Sequence, residues 1–434
     1  MRKAAILTLG CKANQFESAA MQGELEGIGF QVGTLVHDCE LVVVNTCTVT
    51  GATDTQSRKL VRRVRRVCPN ARIFVTGCAA QIDPSMFSGL AGVTRVFGNM
   101  EKQDLEPLLA SAGPQIQVSD IAQAEHCPTL TISGFAHHSR AFVQIQTGCN
   151  NFCTYCIIPY ARGRSRSVLP SDVVAQVQTL VAVGFAEIVL TGIHIGQYGK
   201  DLNGQLDLAG LVALILQSTS AARIRLGSVE PQELTPALID LISTSPRVCP
   251  HLHIPLQSGS NSVLQRMRRT YSADFFRDKI FAIRQVLPKA GLGFDVITGF
   301  PGESCAEFEQ TKALLVALPF SYLHVFPYSS RSGTVAAQMS GQVPVGLRRA
   351  RAAELREIAR VKTEAFALGF VGKEVDVVFH ARAAANTETA TRWRGVSGEY
   401  LEVECAGVGS SNRQLHRVQV QGAVAGRALG IVVE

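Results

Sequence analysis

The sequence lacks any apolar run that approaches the roughly 20 residues needed to cross a membrane. Its 12 cysteines in 434 residues are too sparse for a disulfide scaffold. Its first residues also lack the long apolar core of a secretory signal peptide. These absences predict a cytoplasmic protein with reduced thiols and no membrane segment. The length predicts about two or three domains, and the modest net charge of +7 favours an anionic partner.

The most informative feature present is a run of three closely spaced cysteines, Cys149, Cys153 and Cys156. Three thiolates on one short loop can each bind one iron of a four-iron cluster and leave the fourth iron open to a ligand that is not protein. The competing hypothesis is a zinc knuckle, which needs a second pair of ligands. The chain has no second Cys-x2-Cys and no His-x3-His pair. The spacing therefore favours an iron–sulfur cluster.

Three apolar runs in the first eighty residues, at 5–11, 41–47 and 73–78, each end on a cysteine. Helix-like segments at 14–28 and 53–67 separate them, and the second opens with a possible capping box. This alternation predicts a parallel sheet, whose carboxyl edge is the usual place for a ligand.

The cysteines at the three predicted strand ends are Cys11, Cys47 and Cys78. Each alone could be a small buried hydrophobic residue. The same position on three strands favours a shared site, and a second iron–sulfur cluster is predicted there. The other six cysteines show no spacing that indicates a site and are interpreted as packing or surface residues.

Six further strand candidates alternate with helical segments in the middle of the chain. They lie at 142–146, 187–191, 223–228, 251–256, 293–298 and 322–326. Six strand–helix units predict a partial (β/α) barrel with its ligand site at the carboxyl ends of the strands, where the three-cysteine loop also falls. The residues near these ends that are suited to a nucleoside-bearing cofactor are Gly192, Ser228, Glu230, Gln257, Asp295, Ile297 and Tyr328.

The last sixty residues show short alternating strands, which predict a small OB-like β-barrel. Acidic and basic side chains balance in this segment. RNA binding by this barrel would therefore require charges sorted onto separate faces, or base stacking by Trp393 and Tyr400.

The two cysteine triads, in this order and with these barrel segments, resemble the radical SAM (S-adenosylmethionine) methylthiotransferase family across almost the whole chain. The resemblance implies an α/β fold with three domains. Residues 1–125 would bind an auxiliary [4Fe–4S] cluster through Cys11, Cys47 and Cys78. Residues 136–369 would form the radical SAM barrel, with a second [4Fe–4S] cluster on Cys149, Cys153 and Cys156. Residues 370–434 would form a TRAM-like β-barrel.

The family resemblance also implies a reaction. One SAM gives a 5′-deoxyadenosyl radical, a second SAM methylates a cluster-associated sulfur, and the methylthio group replaces hydrogen at a C–H bond. The segments 8–18 and 157–167 are most similar to the branch that acts on threonylcarbamoyladenosine in tRNA. The other branches act on isopentenyladenosine in tRNA or on a ribosomal-protein aspartate. The last of these usually has proline where this chain has Lys12.

A non-catalytic iron–sulfur protein that binds RNA or carries sulfur is the alternative outside this class, and it would need no cofactor pocket. The expected partners are a tRNA anticodon loop, an electron donor such as a flavodoxin or ferredoxin, and a sulfur donor. Arg162, Arg164 and Arg166, which follow the cluster loop, are predicted to bind anticodon-loop phosphates. The basic cluster at 58–66 is interpreted as a solvated helix face.

Overall fold

The computed structural model describes residues 2–109, 113–135, 138–203, 206–382, 392–406 and 413–433. Within these ranges no helix is both long enough and apolar enough to span a bilayer. The predicted domain boundary at residue 136 lies outside the described residues.

The first part of the chain forms a parallel sheet with the strand order β2-β1-β3-β4-β5-β6. Its strands are β1 (Arg2–Thr8), β2 (Phe30–Gly33), β3 (Leu41–Thr46), β4 (Arg72–Gly77), β5 (Val93–Phe97) and β6 (Ile116–Gln117). Its helices are α1 (Lys12–Gly27), α2 (Gly51–Val67), α3 (Cys78–Ile82), α4 (Ser85–Ser88) and α5 (Glu106–Leu109). Separate apolar clusters pack on the two faces of the sheet. Alternate residues of β3 serve each face, with Val42 on one and Val43 on the other.

Helix α2 begins earlier than its sequence pattern predicts. Thr50, rather than Thr53, is the N-cap: its side chain accepts from the Thr53 amide, and the Thr53 hydroxyl accepts from the Thr50 amide. The Gly51 amide donates to the Ser329 hydroxyl at 3.1 Å. The predicted capping box at Thr53 and Gln56 is therefore wrong, because Thr53 is not the N-cap but the third helical residue, which closes the box with Thr50.

The middle of the chain forms the predicted partial barrel. Its strands are β7 (Ala141–Gln144), β8 (Gln146–Thr147), β9 (Arg166–Ser167), β10 (Glu187–Thr191), β11 (Arg223–Leu226), β12 (His251–Gln257), β13 (Gly291–Thr298) and β14 (Tyr322–Pro327). The parallel sheets β11-β10-β7 and β12-β13-β14 are joined by single bridges from Ile224 to Val248 and from Ser228 to His253. The largest apolar core of the described chain lies in this region.

Helices surround these strands. They are α6 (Ile158–Arg162), α7 (Pro170–Ala182), α8 (Leu208–Ser218), α9 (Pro236–Thr244), α10 (Asn261–Arg266), α11 (Ala273–Val286), α12 (Cys305–Ala317), α13 (Val335–Gln338) and α14 (Val345–Leu368). Helix α14 leads out of the barrel to the last part of the chain.

The last part is a closed β-barrel with the strand order β15-β16-β17-β19-β18. Its strands are β15 (Glu374–Arg382), β16 (Arg392–Ser397), β17 (Glu402–Ala406), β18 (His416–Val424) and β19 (Arg427–Val432). The α/β class, the partial barrel and the small terminal barrel are thus confirmed. We propose that the three sheet systems correspond to the domains expected at 1–125, 136–369 and 370–434.

Candidate active site

The closely spaced cysteine triad lies on the loop after β8, at the carboxyl end of the first barrel strand. Gly148 enters this loop with φ of +74°, and a Cβ there would lie 1.8 Å from the Arg164 carbonyl oxygen. Only glycine fits this approach. The Cys149 amide donates to the Gly163 carbonyl at 3.1 Å, which closes the loop back on itself.

Two basic side chains meet the sulfur atoms of this triad. Arg269 Nη1 donates to Cys153 Sγ at 3.2 Å and its guanidinium forms an ion pair with Glu230. His194 Nδ1 lies 3.5 Å from Cys149 Sγ. Burial lowers the pKa of His194, but hydrogen bonds with Cys149 and Glu233 outweigh it and raise the pKa to about 9.

The second triad lies at the carboxyl edge of the first sheet. Cys47 and Cys78 directly follow β3 and β4, and Cys11 lies three residues beyond the end of the neighbouring strand β1. Gly10 has φ of +101°, and a Cβ there would lie 2.7 Å from Cys47 Sγ, which shows how closely the β1 and β3 ends approach.

The chemistry of both triads fits iron–sulfur clusters. Burial raises the pKa of Cys47 to about 11 and that of Cys156 to about 12. At neutral pH these thiols therefore ionise only beside a strong positive charge, such as bound iron. The arginine at Cys153 supplies a donor to sulfur of the kind that tunes iron–sulfur clusters.

The prediction that Arg162 and Arg166 bind RNA phosphates is contradicted by their burial. The Arg162 side chain is 2% exposed, forms an ion pair with Glu17 of α1, and donates from Nε to Cys78 Sγ at 3.2 Å. Arg166 is buried and donates to the Arg162 carbonyl at 2.8 Å. Arg164 alone of the three is exposed, with its guanidinium 4.7 Å from the centre of the Phe152 ring.

Arg162 belongs instead to a buried charge network at the second triad. Glu17 accepts from both Arg162 and Lys102, and Lys102 also donates to Asn99. Two positive charges and one negative charge leave this network with one positive charge in excess. An anionic group at Cys78, such as a thiolate ligand of a cluster, balances that excess.

A cavity of about 220 Å³ is lined by residues that neighbour both triads in the sequence. Val49 and Thr50, which follow Cys47, line one side, and Tyr155, which lies between Cys153 and Cys156, lines another. The remaining lining residues, from β12, β13, β14 and the segment after β14, are Gln257, Asp295, Ile297, Phe326, Pro327, Tyr328 and Ser329. The cavity is therefore shared by the loops that carry both sites.

Four of the predicted cofactor residues meet in this cavity, namely Gln257, Asp295, Ile297 and Tyr328. The Asp295 carboxylate accepts hydrogen bonds from His253 and His324, each at 3.0 Å. Burial would raise the pKa of Asp295, but these hydrogen bonds hold it well below the usual range. Asp295 is thus a fixed negative charge at the cavity wall.

The other three predicted cofactor residues do not line this cavity. Ser228 hydrogen-bonds to His253 at 2.6 Å, and the Glu230 carboxylate is held by Arg269. A Cβ at Gly192 would lie 2.7 Å from the Gln146 carbonyl oxygen, so this glycine serves close packing of β10 on β8. Glu230 therefore acts on the triad through Arg269, rather than as a free ribose acceptor.

Lys12 and Glu17 are site residues that sequence reasoning missed. Lys12 follows Cys11, and its ammonium makes no hydrogen bond or ion pair with any residue that the structure describes. Burial, together with the positive charges of Arg140 and Arg225, lowers the pKa of Lys12 to about 8. Both residues lie on α1, whose first turn touches the second triad, but their roles depend on contacts that are distant in sequence.

The fold and the site define a radical SAM enzyme. Residues 143–315 match the Radical SAM superfamily, and residues 3–98 match the family described as Uncharacterized protein family UPF0004. The structure is similar to the cobalamin-dependent SAM radical enzyme OxsB with aqua-cobalamin bound, with a TM-score of 0.51, 10% identity and coverage of 83% of this chain and 56% of that chain.

The relatives found by sequence similarity indicate a more specific class of enzyme. The chain is 36% identical over 424 residues to the threonylcarbamoyladenosine tRNA methylthiotransferase MtaB of Bacillus subtilis, covering 97% of this chain and 94% of that protein. It is also 34% identical to the tRNA-2-methylthio-N(6)-dimethylallyladenosine synthase of Carboxydothermus hydrogenoformans, covering 81% and 82%. The chain belongs to the radical SAM methylthiotransferase family, whose members use two [4Fe–4S] clusters and SAM.

Proposed function

We propose that this enzyme adds a methylthio group to C2 of N6-threonylcarbamoyladenosine at position 37 of tRNA. The observation that carries the proposal is the cavity lined from both cysteine-bearing loops, with Thr50 on one wall and Tyr155 on another. A base placed there would contact residues that neighbour both triads in the sequence. A non-catalytic iron–sulfur protein would not need a cavity that residues near both triads line together.

The residues of the chain divide the work between them. Cys149, Cys153 and Cys156 would hold the radical SAM cluster, and Cys11, Cys47 and Cys78 the auxiliary cluster. When bound, these groups and SAM supply the radical that removes hydrogen and the sulfur that replaces it. Gln257 and Asp295 present polar atoms to the ligands in the cavity, while Ile297 and Tyr328 cover them and keep water away.

Lys12 supports the choice of nucleoside. Lys12 directly follows Cys11, and its ammonium forms no ion pair with a described residue, whereas the nearby Arg140 and Arg225 are both paired with Glu187. The threonyl group of threonylcarbamoyladenosine carries a carboxylate, which such a cation would bind. An isopentenyl group is apolar and would give the half-buried Lys12 ammonium no counter-ion.

The reaction also needs groups that the chain itself does not provide. We propose a small electron-transfer protein, such as a flavodoxin or ferredoxin, as the electron donor, and a separate sulfur donor between turnovers. Because tRNA is the substrate, we place the enzyme in the cytoplasm.

The proposal is tested with anaerobically reconstituted enzyme, SAM and a chemical reductant. Anticodon stem-loops that carry either threonylcarbamoyladenosine or isopentenyladenosine at position 37 are compared by mass spectrometry of their nucleosides. We expect 2-methylthiolation of the first RNA and little of the second. Preference for the isopentenyl RNA would assign the enzyme to the other tRNA branch.

Replacing Lys12 tests the basis of this preference. Lys12→Met should lower kcat/KM for the threonylcarbamoyl RNA by about tenfold or more, because about 1.4 kcal/mol or more of ionic binding is lost. SAM cleavage without RNA should continue. Lys12→Arg keeps the charge and should retain part of the activity, whereas equal rates for all three proteins would remove Lys12 from substrate recognition.

A further inference from the structure

Helix α2 carries most of the net positive charge of the protein. Its basic residues are Arg58, Lys59, Arg62, Arg63, Arg65 and Arg66, and its one acidic residue is Asp54. Six positive charges and one negative charge give this 17-residue helix a net charge of +5, while the whole chain has +7. Lys59, Arg62, Arg63 and Arg66 are exposed.

The basic residues of α2 differ from two paired cations on other surface helices, Arg277 of α11 and Arg360 of α14. Arg277 forms ion pairs with Asp274 and Asp278, and Arg360 does so with Glu357 and Glu364. These are the pairs expected on an ordinary solvated helix face. On α2, none of the six cations forms an ion pair with a residue that the structure describes. The six like charges of α2 repel one another, and the interpretation of this segment as a solvated face does not explain why they lie together without acidic partners.

The helix starts at the rim of the active-site cavity. Thr50, its N-cap, lines the cavity, and Asp54 in its first turn forms an ion pair of 2.6 Å with Arg331. From there α2 extends for about 25 Å, which is long enough to follow several phosphates of one RNA strand. The exposed Arg164 lies between α6 and β9, eight residues after Cys156 of the radical SAM triad.

The other face of α2 excludes a membrane as the partner. Its buried residues, Ser57, Val61 and Val64, face the sheet, where both valines join the core. Apart from the small Ala52, no apolar residue of α2 is exposed, so the helix has no large apolar side chain to insert between lipids. A row of unpaired cations beside a nucleoside-sized cavity matches a nucleic-acid backbone instead.

We propose that α2 binds the phosphates of the substrate RNA stem while the target base of the adjoining loop enters the cavity. This inference rests on the proposed function, because it takes the RNA that binds to α2 to be the substrate. Backbone contacts of this kind set the position of the RNA without reading its sequence. Recognition of the target base is left to the cavity.

The test removes four exposed charges from α2 in one variant: Lys59→Gln, Arg62→Gln, Arg63→Gln and Arg66→Gln. A control variant removes four cations elsewhere: Arg277→Gln, Lys289→Gln, Lys312→Gln and Arg360→Gln. The dissociation constant of each holoenzyme for a threonylcarbamoyl-modified anticodon stem-loop is measured from 50 to 300 mM KCl. If all four residues contact phosphates, the slope of log K against log salt should fall by about 3 in the α2 variant.

The control variant should keep a slope close to that of the unchanged enzyme, and both variants should still cleave SAM without RNA. An unchanged slope in the α2 variant, or an equal loss in the control, would overturn the proposed surface. If the unchanged enzyme modifies the stem-loop but the α2 substitutions do not change the salt slope, only this inference fails. If it neither binds nor modifies the stem-loop, the proposed function fails as well.

Discussion

At the scale of single residues, two arginines reach the sulfur atoms of the two cysteine triads. Arg162 donates to Cys78 and Arg269 donates to Cys153, both at 3.2 Å. Each arginine also forms an ion pair with a buried glutamate. Hydrogen bonds to cluster sulfur raise the reduction potential, so both side chains would tune clusters bound at these triads.

Arg162 gives the sharpest prediction because it links the second triad to the barrel. Arg162→Gln leaves the Glu17 charge balanced by Lys102 but removes buried hydrogen bonds to Glu17 and Asn14, and it should lower the free energy of unfolding of the apo-protein by about 2 kcal/mol. Urea denaturation measures this loss. Arg164→Gln, a matched change at an exposed position, should alter stability by less than about 0.5 kcal/mol.

A purely structural role for Arg162 would leave the cluster itself unchanged. In a background with Cys149→Ala, Cys153→Ala and Cys156→Ala, only the auxiliary cluster should remain. Redox titration followed by electron paramagnetic resonance should then show a lower potential in Arg162→Gln and a smaller shift in Arg162→Lys. An unchanged potential in both variants would restrict Arg162 to a structural role.

At the scale of elements, the barrel depends on caps that hold helices beside the strand ends. Ser304 caps α12: its hydroxyl accepts from the Glu307 amide at 3.2 Å, and Glu307 accepts from the Ser304 amide at 2.8 Å. Arg266 of α10 donates twice to the same carboxylate. Burial would raise the pKa of Glu307, but hydrogen bonds from Arg266, Ser262 and Ser304 lower it to about 2.

This capping box should make stability depend on pH. Because the folded pKa of Glu307 lies below its unfolded value, its contribution is present above about pH 4.5 and is lost as the pH falls toward 2. Glu307→Gln should cost about 1 kcal/mol at pH 7, since solvent screening reduces the ion pair. Thermal unfolding from pH 3 to 7 measures the difference, which should shrink at low pH. Glu309→Gln, exposed on the same helix, should have no such profile.

The sequence pattern predicted most elements because their apolar periodicity is strong. All six barrel strands are present, with ends that differ by no more than about two residues from the expected positions. The short edge strands β2 and β6 of the first sheet were not predicted, since two to four residues carry too little pattern. The capping box of α2 was misplaced because the Ser329 contact that supports its true start is distant in sequence.

At the scale of the whole molecule, the terminal barrel is attached to the end of the radical SAM barrel by buried arginines. Arg225 donates to the carbonyls of Ser397 and Gly398, and Arg223 donates to that of Val396. Tyr400 stacks on His251 with ring centroids 4.4 Å apart. The ring of Tyr400, considered for base stacking with RNA, is therefore half-buried against the radical SAM barrel.

The candidate site was only partly predictable from the sequence, because several of its contacts join residues that are distant in the chain. Cysteine spacing and strand ends predicted both triads and the cavity residues Gln257 and Asp295, because these depend on local pattern and parallel topology. Of the three arginines predicted to contact phosphates, Arg162 and Arg166 are buried by the fold. Charge along a sequence does not show which side chains find a partner in space, and the six cations of α2 stand out only once the structure shows that they form no ion pair with a described residue.

The most direct test of the central claim is mass spectrometry of total tRNA nucleosides from cells with and without the gene. The 2-methylthio derivative of threonylcarbamoyladenosine should disappear on deletion and return when the gene is restored, while the isopentenyl counterpart persists. Restoration by a gene with Cys11→Ala, Cys47→Ala and Cys78→Ala should fail. Loss of the isopentenyl derivative instead, or no change in either nucleoside, would contradict the proposed function.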